Sequence, residues 1–179
     1  MCVLKTIEYG SQQYAATLKL RDKVMRKPLG KSIYDEDFSW EKDAEIVGAF
    51  DGEQLLGVGV MTNKDKNFKL EYLCVDSEIQ SKGIGGKILR FILRLAKEKG
   101  GKKVCGDARV SAKAFYEREG FVASGETYLM DIAPVPHVYM EKNFVKKGTR
   151  KRSFFLNVCF FPLFGFYFGK LCEFFRSVR

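Results

Sequence analysis

Eight consecutive residues, Gln80-Ser81-Lys82-Gly83-Ile84-Gly85-Gly86-Lys87, carry the clearest chemical signal in the chain. They lie between a β-rich run ending at Val75 and a stretch whose apolar residues Ile88, Leu89, Ile92, Leu93 and Leu95 recur at helical spacing. A strand therefore hands over to a helix here. The first amides of a helix lack intrahelical acceptors and sit at the positive end of its dipole, so an anion belongs at that point. Glycine at 83, 85 and 86 lets the backbone turn tightly and approach a phosphate, and Lys82 and Lys87 add positive charge.

Two familiar phosphate loops fail on particular residues. A Walker loop needs Ser or Thr after its Gly-Lys and a glycine five positions before that glycine, where Ile88 and Ser81 stand. A dinucleotide fingerprint would put its third glycine at position 88, again Ile88. The stretch instead resembles the coenzyme A loop of the GNAT acyltransferase superfamily, Gln/Arg-x-x-Gly-x-Gly/Ala, matched by Gln80, Gly83 and Gly85, with Ser81 in place of a more usual glycine. The run Leu70-Glu71-Tyr72-Leu73-Cys74-Val75 stands where that family has the strand before the loop. Downstream, Ala114-Phe115-Tyr116-Glu117-Arg118-Glu119-Gly120-Phe121 supplies its Phe-Tyr and Gly-Phe pairs. The resemblance covers residues 3–142.

What the resemblance implies is an N-acetyltransferase moving an acetyl group from acetyl-CoA, its co-substrate, to a primary amine by direct attack on the thioester. Backbone groups of Leu73, Cys74 and Val75 would pair with pantetheine, and Gln80, Ser81, Lys82, Gly83, Ile84, Gly85 and Gly86 would hold the pyrophosphate. Tyr116 would bind beside the thioester and act as the acid. Glu71 matches a carboxylate that draws the amine's proton in several members, although Leu70 and Tyr72 could equally be the inward pair on that strand. His137, the one histidine, suits a base by its titration range, and a hydrogen-bonded structural histidine is the other reading. Asp107 and Arg109 could contact cofactor or acceptor, or pair with each other. Asp35, Glu36 and Asp37 with Trp40 fall in a region that shapes the acceptor site in this family. The rival implication is a GNAT-shaped module that binds coenzyme A, or a membrane-associated partner, without turnover.

These residues need elements to place them. Val3 to Glu8 reads as a strand, and Ser11 can cap a helix carrying Tyr14, Leu18 and Val24 on one face. Glu45 to Phe50 and Leu55 to Asn63 are β-rich runs joined by Asp51-Gly52-Glu53-Gln54, a hairpin signal, and Phe68 to Val75 makes a third partner. After the glycine loop and its helix, stopped by Gly100 and Gly101, come a strand over Lys103 to Asp107 and a helix over Ser111 to Glu119 capped by Ser111. Strands over Phe121 to Glu126 and His137 to Lys142 follow. The order βαβββαβαββ argues for an α+β fold with a mixed, mainly antiparallel sheet of six to seven strands and helices on both faces. The resemblance adds a splay between the fourth and fifth strands.

Charge separates this domain, residues 1–145, from an extension over 146–179. The first holds 23 Lys/Arg against 21 Asp/Glu and the second eight against one, so the net +9 is a property of the extension. A nucleic-acid partner loses its main support. Nine of the sixteen phenylalanines follow Arg152, and seven of them fall within an apolar run from Phe154 to Gly169 that is 16 residues long, short of the roughly 20 of a spanning helix. Lys146, Lys147, Arg150, Lys151 and Arg152 precede that run, which suits an anionic membrane surface. The five scattered cysteines give no zinc or disulfide spacing, so no metal is expected, and Lys5 and Glu8 interrupt any signal-peptide core. A cytoplasmic location, peripheral at the inner face of the membrane, is the expectation. A homodimer is also open, since dimers are common in the resembled family.

Overall fold

Asp51 and Gln54 pair across the turn that the Asp-Gly signal marks, closing a hairpin. That hairpin belongs to a mixed sheet in a computed structural model that describes residues 2–79 and 83–144. The elements are β1 (Cys2–Thr6), α1 (Gln12–Arg21), β2 (Glu45–Asp51), β3 (Gln54–Lys64), β4 (Asn67–Val75), α2 (Ile84–Glu98), β5 (Lys103–Arg109), α3 (Lys113–Arg118), β6 (Val122–Met130) and β7 (Ala133–Asn143). Among the described residues the sheet has seven strands, ordered β1-β2-β3-β4-β5-β7-β6. All neighbours are antiparallel except β4 and β5, which run parallel because α2 crosses between them.

The two faces of the sheet explain the two long helices. α2 buries Ile84, Ile88, Leu89, Ile92, Leu93 and Ala96, one stripe at helical spacing, against Val47, Met61, Phe68 and Val104. On the opposite face Tyr14 and Leu20 of α1 pack with Ile46, Phe50, Val58 and Cys74. Ser11 caps α1 as expected, its hydroxyl accepting from the Tyr14 amide at 3.1 Å. Val24 falls beyond α1, in a π-helical turn over Asp22–Arg26. Arg21, fully buried at the end of α1, forms a two-pronged ion pair with Glu41 at 2.5 and 3.0 Å, which satisfies a charge that would otherwise be very costly inside the core.

One irregularity decides where the site lies. Val60 pairs with Tyr72 and Met61 with Leu70, so Glu71 is an extra residue in β4, a β-bulge. Side-chain alternation slips by one there. Phe68 and Leu70 point to the α2 face, Tyr72 and Cys74 to the α1 face, and Leu73 and Val75 back to α2. Leu70 and Tyr72 are therefore not the inward pair that simple alternation allowed, because the bulge between them sends them to opposite faces. Just before the bulge the β4–β5 ladder ends: its last pair is Leu70 with Gly106, and Asp107 to Arg109 pair only with β7. The expected splay between the fourth and fifth strands begins at this point.

One helix start needs correction. Ser111 does not cap α3. It lies inside a 3-10 turn over Val110–Ala112, whose Val110 carbonyl accepts from the Lys113 amide, and the cap position is Ala112 with no side-chain bond. The tighter turn satisfies backbone groups that a serine cap would have served. β6 and β7 are also longer than expected, reaching Met130 and starting at Ala133. The boundary at 145/146 and the extension lie outside the described residues.

Candidate active site

Three cavities follow one another through the splay. The first, about 430 Å3, lies at the head of α2 and is lined by Gly83, Ile84, Gly85 and Gly86. It shares Leu73, Val75, Ala112 and Tyr116 with a cleft of about 400 Å3 between the parted strands. That cleft shares Met25, Leu70, Glu71, Asp107, Ala133 and His137 with a third cavity of about 440 Å3 on the far side. The sheet is thus pierced, and a path leads from the start of a helix to an opposite pocket.

At the head of α2, Gly83 holds a left-handed φ of 74° and ends the loop without a capping side chain. The first intrahelical bond recorded is Lys87 N to Gly83 O at 3.1 Å, so the amides of Ile84, Gly85 and Gly86 precede the ladder and face outward as donors. The side of the cavity is formed by Phe115, Arg118 and the glycines. Gln80, Ser81 and Lys82 lie outside the described residues. Lys87 is exposed and lines none of the three cavities.

Tyr116 stands where the first cavity meets the cleft. Its ring is held edge-on between Phe115 at 5.1 Å and Phe121 at 5.6 Å. Its hydroxyl makes no hydrogen bond among the described residues, and burial pushes its pKa up to about 12. The phenol therefore stays protonated at any physiological pH.

His137 stands where the cleft meets the third cavity and is 5% exposed. Its Nδ1 lies 2.6 Å from the Val135 carbonyl oxygen. A carbonyl only accepts, so Nδ1 carries the hydrogen, which leaves Nε2 as the nitrogen that can exchange a proton. Tyr128 stacks on the imidazole at 6.4 Å and donates to Asp107 Oδ1 at 2.5 Å, which fixes the ring from above.

Glu71 reaches the same junction with both oxygens engaged: Oε1 accepts from Thr62 at 2.9 Å, and Oε2 pairs with Lys69 at 3.1 Å. Lys69 also pairs with Asp107 at 3.2 Å. Partial burial opposes the Lys69 charge, but these two carboxylates outweigh it and hold its pKa above the ordinary lysine value. Asp107 and Arg109 do not pair with each other, because Arg109 donates to the Met25 carbonyl at 3.4 Å. Glu36, Asp37 and Trp40 line the third cavity and Asp35 does not.

Cys74 is the one cysteine lining these cavities. Its thiol turns to the α1 side, where its nearest acceptor is the Leu20 carbonyl at 3.8 Å, and burial pushes its pKa up to about 12. A thiol kept so firmly protonated is no nucleophile, so the cleft favours direct transfer over a cysteine-borne acyl group.

Sequence reasoning missed Lys69, Thr62, Tyr128, Phe38 and Ile132, which line or support the third cavity. Alternation along β4 and β5 places Lys69 beside Asp107 once the pairing register is known, and only the parallel register supplies that.

The comparisons agree with this architecture. A family model described as Acetyltransferase (GNAT) domain matches residues 8–144. The Bacillus subtilis (strain 168) protein YjcF, named an uncharacterized N-acetyltransferase, is 28% identical over 137 residues, 76% of this chain and 97% of that protein. Escherichia coli ElaA superposes with a TM-score of 0.68 at 18% identity, over 80% of this chain and 100% of that one. A GNAT family acetyltransferase of Elizabethkingia anophelis, solved with acetyl-CoA bound, gives 0.59 at 16% identity over 80% and 98%. Since the family model spans nearly every described residue, from before α1 to the end of β7, the chain belongs to the GNAT acetyltransferase family and is an N-acetyltransferase that draws its acetyl group from acetyl-CoA.

Proposed function

We propose that the pierced sheet carries direct acetyl transfer to a primary amine, small or lysine-like, with Tyr116 as the acid and His137 as the base. The observation that carries this reading is the placement of these two residues in one cleft. Tyr116 borders the cavity at the helix head and His137 the cavity on the far side.

The residues present fit acetyl-CoA. A negative diphosphate suits the amides of Ile84, Gly85 and Gly86, with Gln80, Ser81 and Lys82 completing the loop. Where β5 leaves β4, Leu73, Cys74 and Val75 line the cleft on a strand that has lost its neighbour, which suits an extended amide-bearing chain. Acetyl-CoA supplies a thioester carbonyl open to attack by nitrogen.

An alkylammonium acceptor loses two protons as its amide forms, the departing sulfur gains one, and one goes to solvent. His137 Nε2 takes the first proton, freeing the nitrogen lone pair, and passes it to water. Tyr116 gives its phenolic proton to the sulfur and is reprotonated as the second leaves the nitrogen. Glu71, held by Thr62 and Lys69, acts on the acceptor side as fixed negative charge rather than as the base.

Incubation with acetyl-CoA and a panel of amines, read by free thiol and by the mass of the acetylated amine, tests the proposal. Thiol release should depend on amine and fall steeply in His137→Ala and far less in Glu71→Gln. The opposite order of the two variants moves the base to Glu71. Coenzyme A binding with no amine-dependent release leaves the non-catalytic module as the reading.

The extension over residues 146–179 supports a second, separable element of this proposal on sequence alone. Its basic run followed by phenylalanines suits contact with the anionic inner face of a membrane by an otherwise cytoplasmic enzyme. Among the described residues no helix is long and apolar enough to cross a membrane.

A further inference from the structure

The amine-side cavity has two unlike ends. Glu71, Asp107 and His137 line both it and the cleft, and so mark its inner end. Phe38, Trp40, Met130 and Ile132 line it without reaching the cleft, and so mark its outer end. Inside, Lys69 stands against the two carboxylates Glu71 and Asp107, a net of one negative charge beside the His137 ring. That balance is matched to one ammonium group.

The outer end is apolar. Trp40 stacks on Tyr72 with centroids 6.4 Å apart and planes 17° from parallel, and Phe38 meets the same ring edge-on at 6.3 Å. Trp40 and Ile132 are still 39% and 37% exposed, so much of this surface stays in water until something covers it. Of the two carboxylates beside it, Glu36 is neutralised by a cation and Asp37 is hydrogen-bonded without one. Arg26 holds Glu36 through both its oxygens, and Asp37 has both oxygens turned onto Ser39. Arg21 and Arg26 lie over the Tyr72 ring at 4.8 and 5.9 Å, so its cation-binding capacity is taken. Asp37 keeps its charge beside the neutral Ser39, and the rest of the exposed surface here is apolar, so that a ring or branched chain would bury Trp40 and Ile132.

Resting on the reading of this cavity as the acceptor's side, we infer that the acceptor is a primary amine with an aromatic or branched apolar body close to its nitrogen. The ammonium meets Glu71, Asp107 and His137, and the body covers Trp40 and Ile132. A buried ring of this size corresponds to a preference on the order of tenfold to a hundredfold over an amine without one.

Trp40 is the chain's one tryptophan, so its emission reports the outer end without any need for turnover. Phenethylamine titrated into full-length protein saturated with coenzyme A should change that emission saturably, and ethanolamine and putrescine at equal concentration should not. In acetyl transfer kcat/KM for phenethylamine should exceed theirs by on the order of tenfold to a hundredfold. Trp40→Leu and, separately, Ile132→Ala should each shrink that preference, through KM more than kcat. The two substitutions sit on different segments, so a folding fault in one does not decide the matter. Putrescine or ethanolamine turned over as well as phenethylamine, with Trp40 emission unmoved by the aromatic amine, overturns the inference and leaves acetyl transfer standing. A saturable emission change with no thiol released from any amine keeps the inference and removes the proposed activity instead.

Discussion

Tyr116 keeps its proton because burial disfavours the phenolate and no neighbouring cation rescues it, which is the state an acid needs before the sulfur departs. Tyr116→Phe keeps the ring between Phe115 and Phe121 and deletes only the donor. Its kcat should fall on the order of a hundredfold or more, while calorimetric affinity for acetyl-CoA moves by a small factor; an unchanged kcat removes the assignment. The same burial has a stability consequence with a defined sign. The folded pKa of about 12 lies above the ordinary 10.0, so an unfolded chain releases this proton first as pH rises. Tyr116 therefore contributes stability that is complete below about pH 10 and is lost as pH climbs through about 12. Urea midpoints over that window should fall less steeply in Tyr116→Phe than in the parent, and the difference isolates Tyr116 from Tyr128, which burial and the Asp107 hydrogen bond also push to about 12. The place of Tyr116 beside the cleft was legible in the sequence through its Phe-Tyr pair. The tautomer of His137 was not, because it is set by a carbonyl two residues away whose direction depends on the β6–β7 hairpin.

The β4–β5 splay is an element-level device, and its pivot is Gly106. A Cβ built there would lie 2.8 Å from the Leu70 carbonyl oxygen and 3.4 Å from the Leu70 Cβ. The first of these is backbone and cannot swing aside. Gly106→Ala must push β5 off β4 at the last rung of the parallel ladder, costing about 1–3 kcal/mol, and the parted strands should then open one residue too early. Denaturant unfolding should show that loss, and acetyl-CoA should bind more weakly. A variant with parental stability and affinity shows that the pivot lies elsewhere. Sequence patterns exposed most of the elements around it: the Asp-Gly hairpin, the α2 stripe and the Ser11 cap all depend on neighbours within a few positions. The bulge at Glu71 stayed hidden, because one extra residue leaves no mark in an apolar run that can be read in either register. The ends of β6 and β7 were missed for a related reason: most of β6 is exposed and lacks the alternation that marks a half-buried strand.

At the scale of the whole chain, charge and aromatic content part company with the catalytic domain. Residues 1–145 are nearly balanced, while 146–179 carry eight basic residues against Glu173 alone, and nine phenylalanines. The extension lies outside the described residues and beyond the 8–144 match to the family model, so the proposed membrane contact rests on composition and makes a quantitative claim. Each basic residue near an anionic surface contributes about 1 kcal/mol, so the five from Lys146 to Arg152 together supply about 5 kcal/mol. Full-length protein should co-sediment with vesicles containing phosphatidylserine, much less with neutral phosphatidylcholine vesicles, and less again as salt screens the surface. Replacing Lys146, Lys147, Arg150, Lys151 and Arg152 by Gln in the full chain should weaken that partitioning on the order of a thousandfold, with acetyl transfer to a soluble amine retained because all five follow the stretch that matches the family model. Parental protein left in the supernatant with anionic vesicles ends the membrane proposal. Partitioning that survives both salt and the five substitutions assigns it to the phenylalanines instead, whose burial in the interface needs no charge.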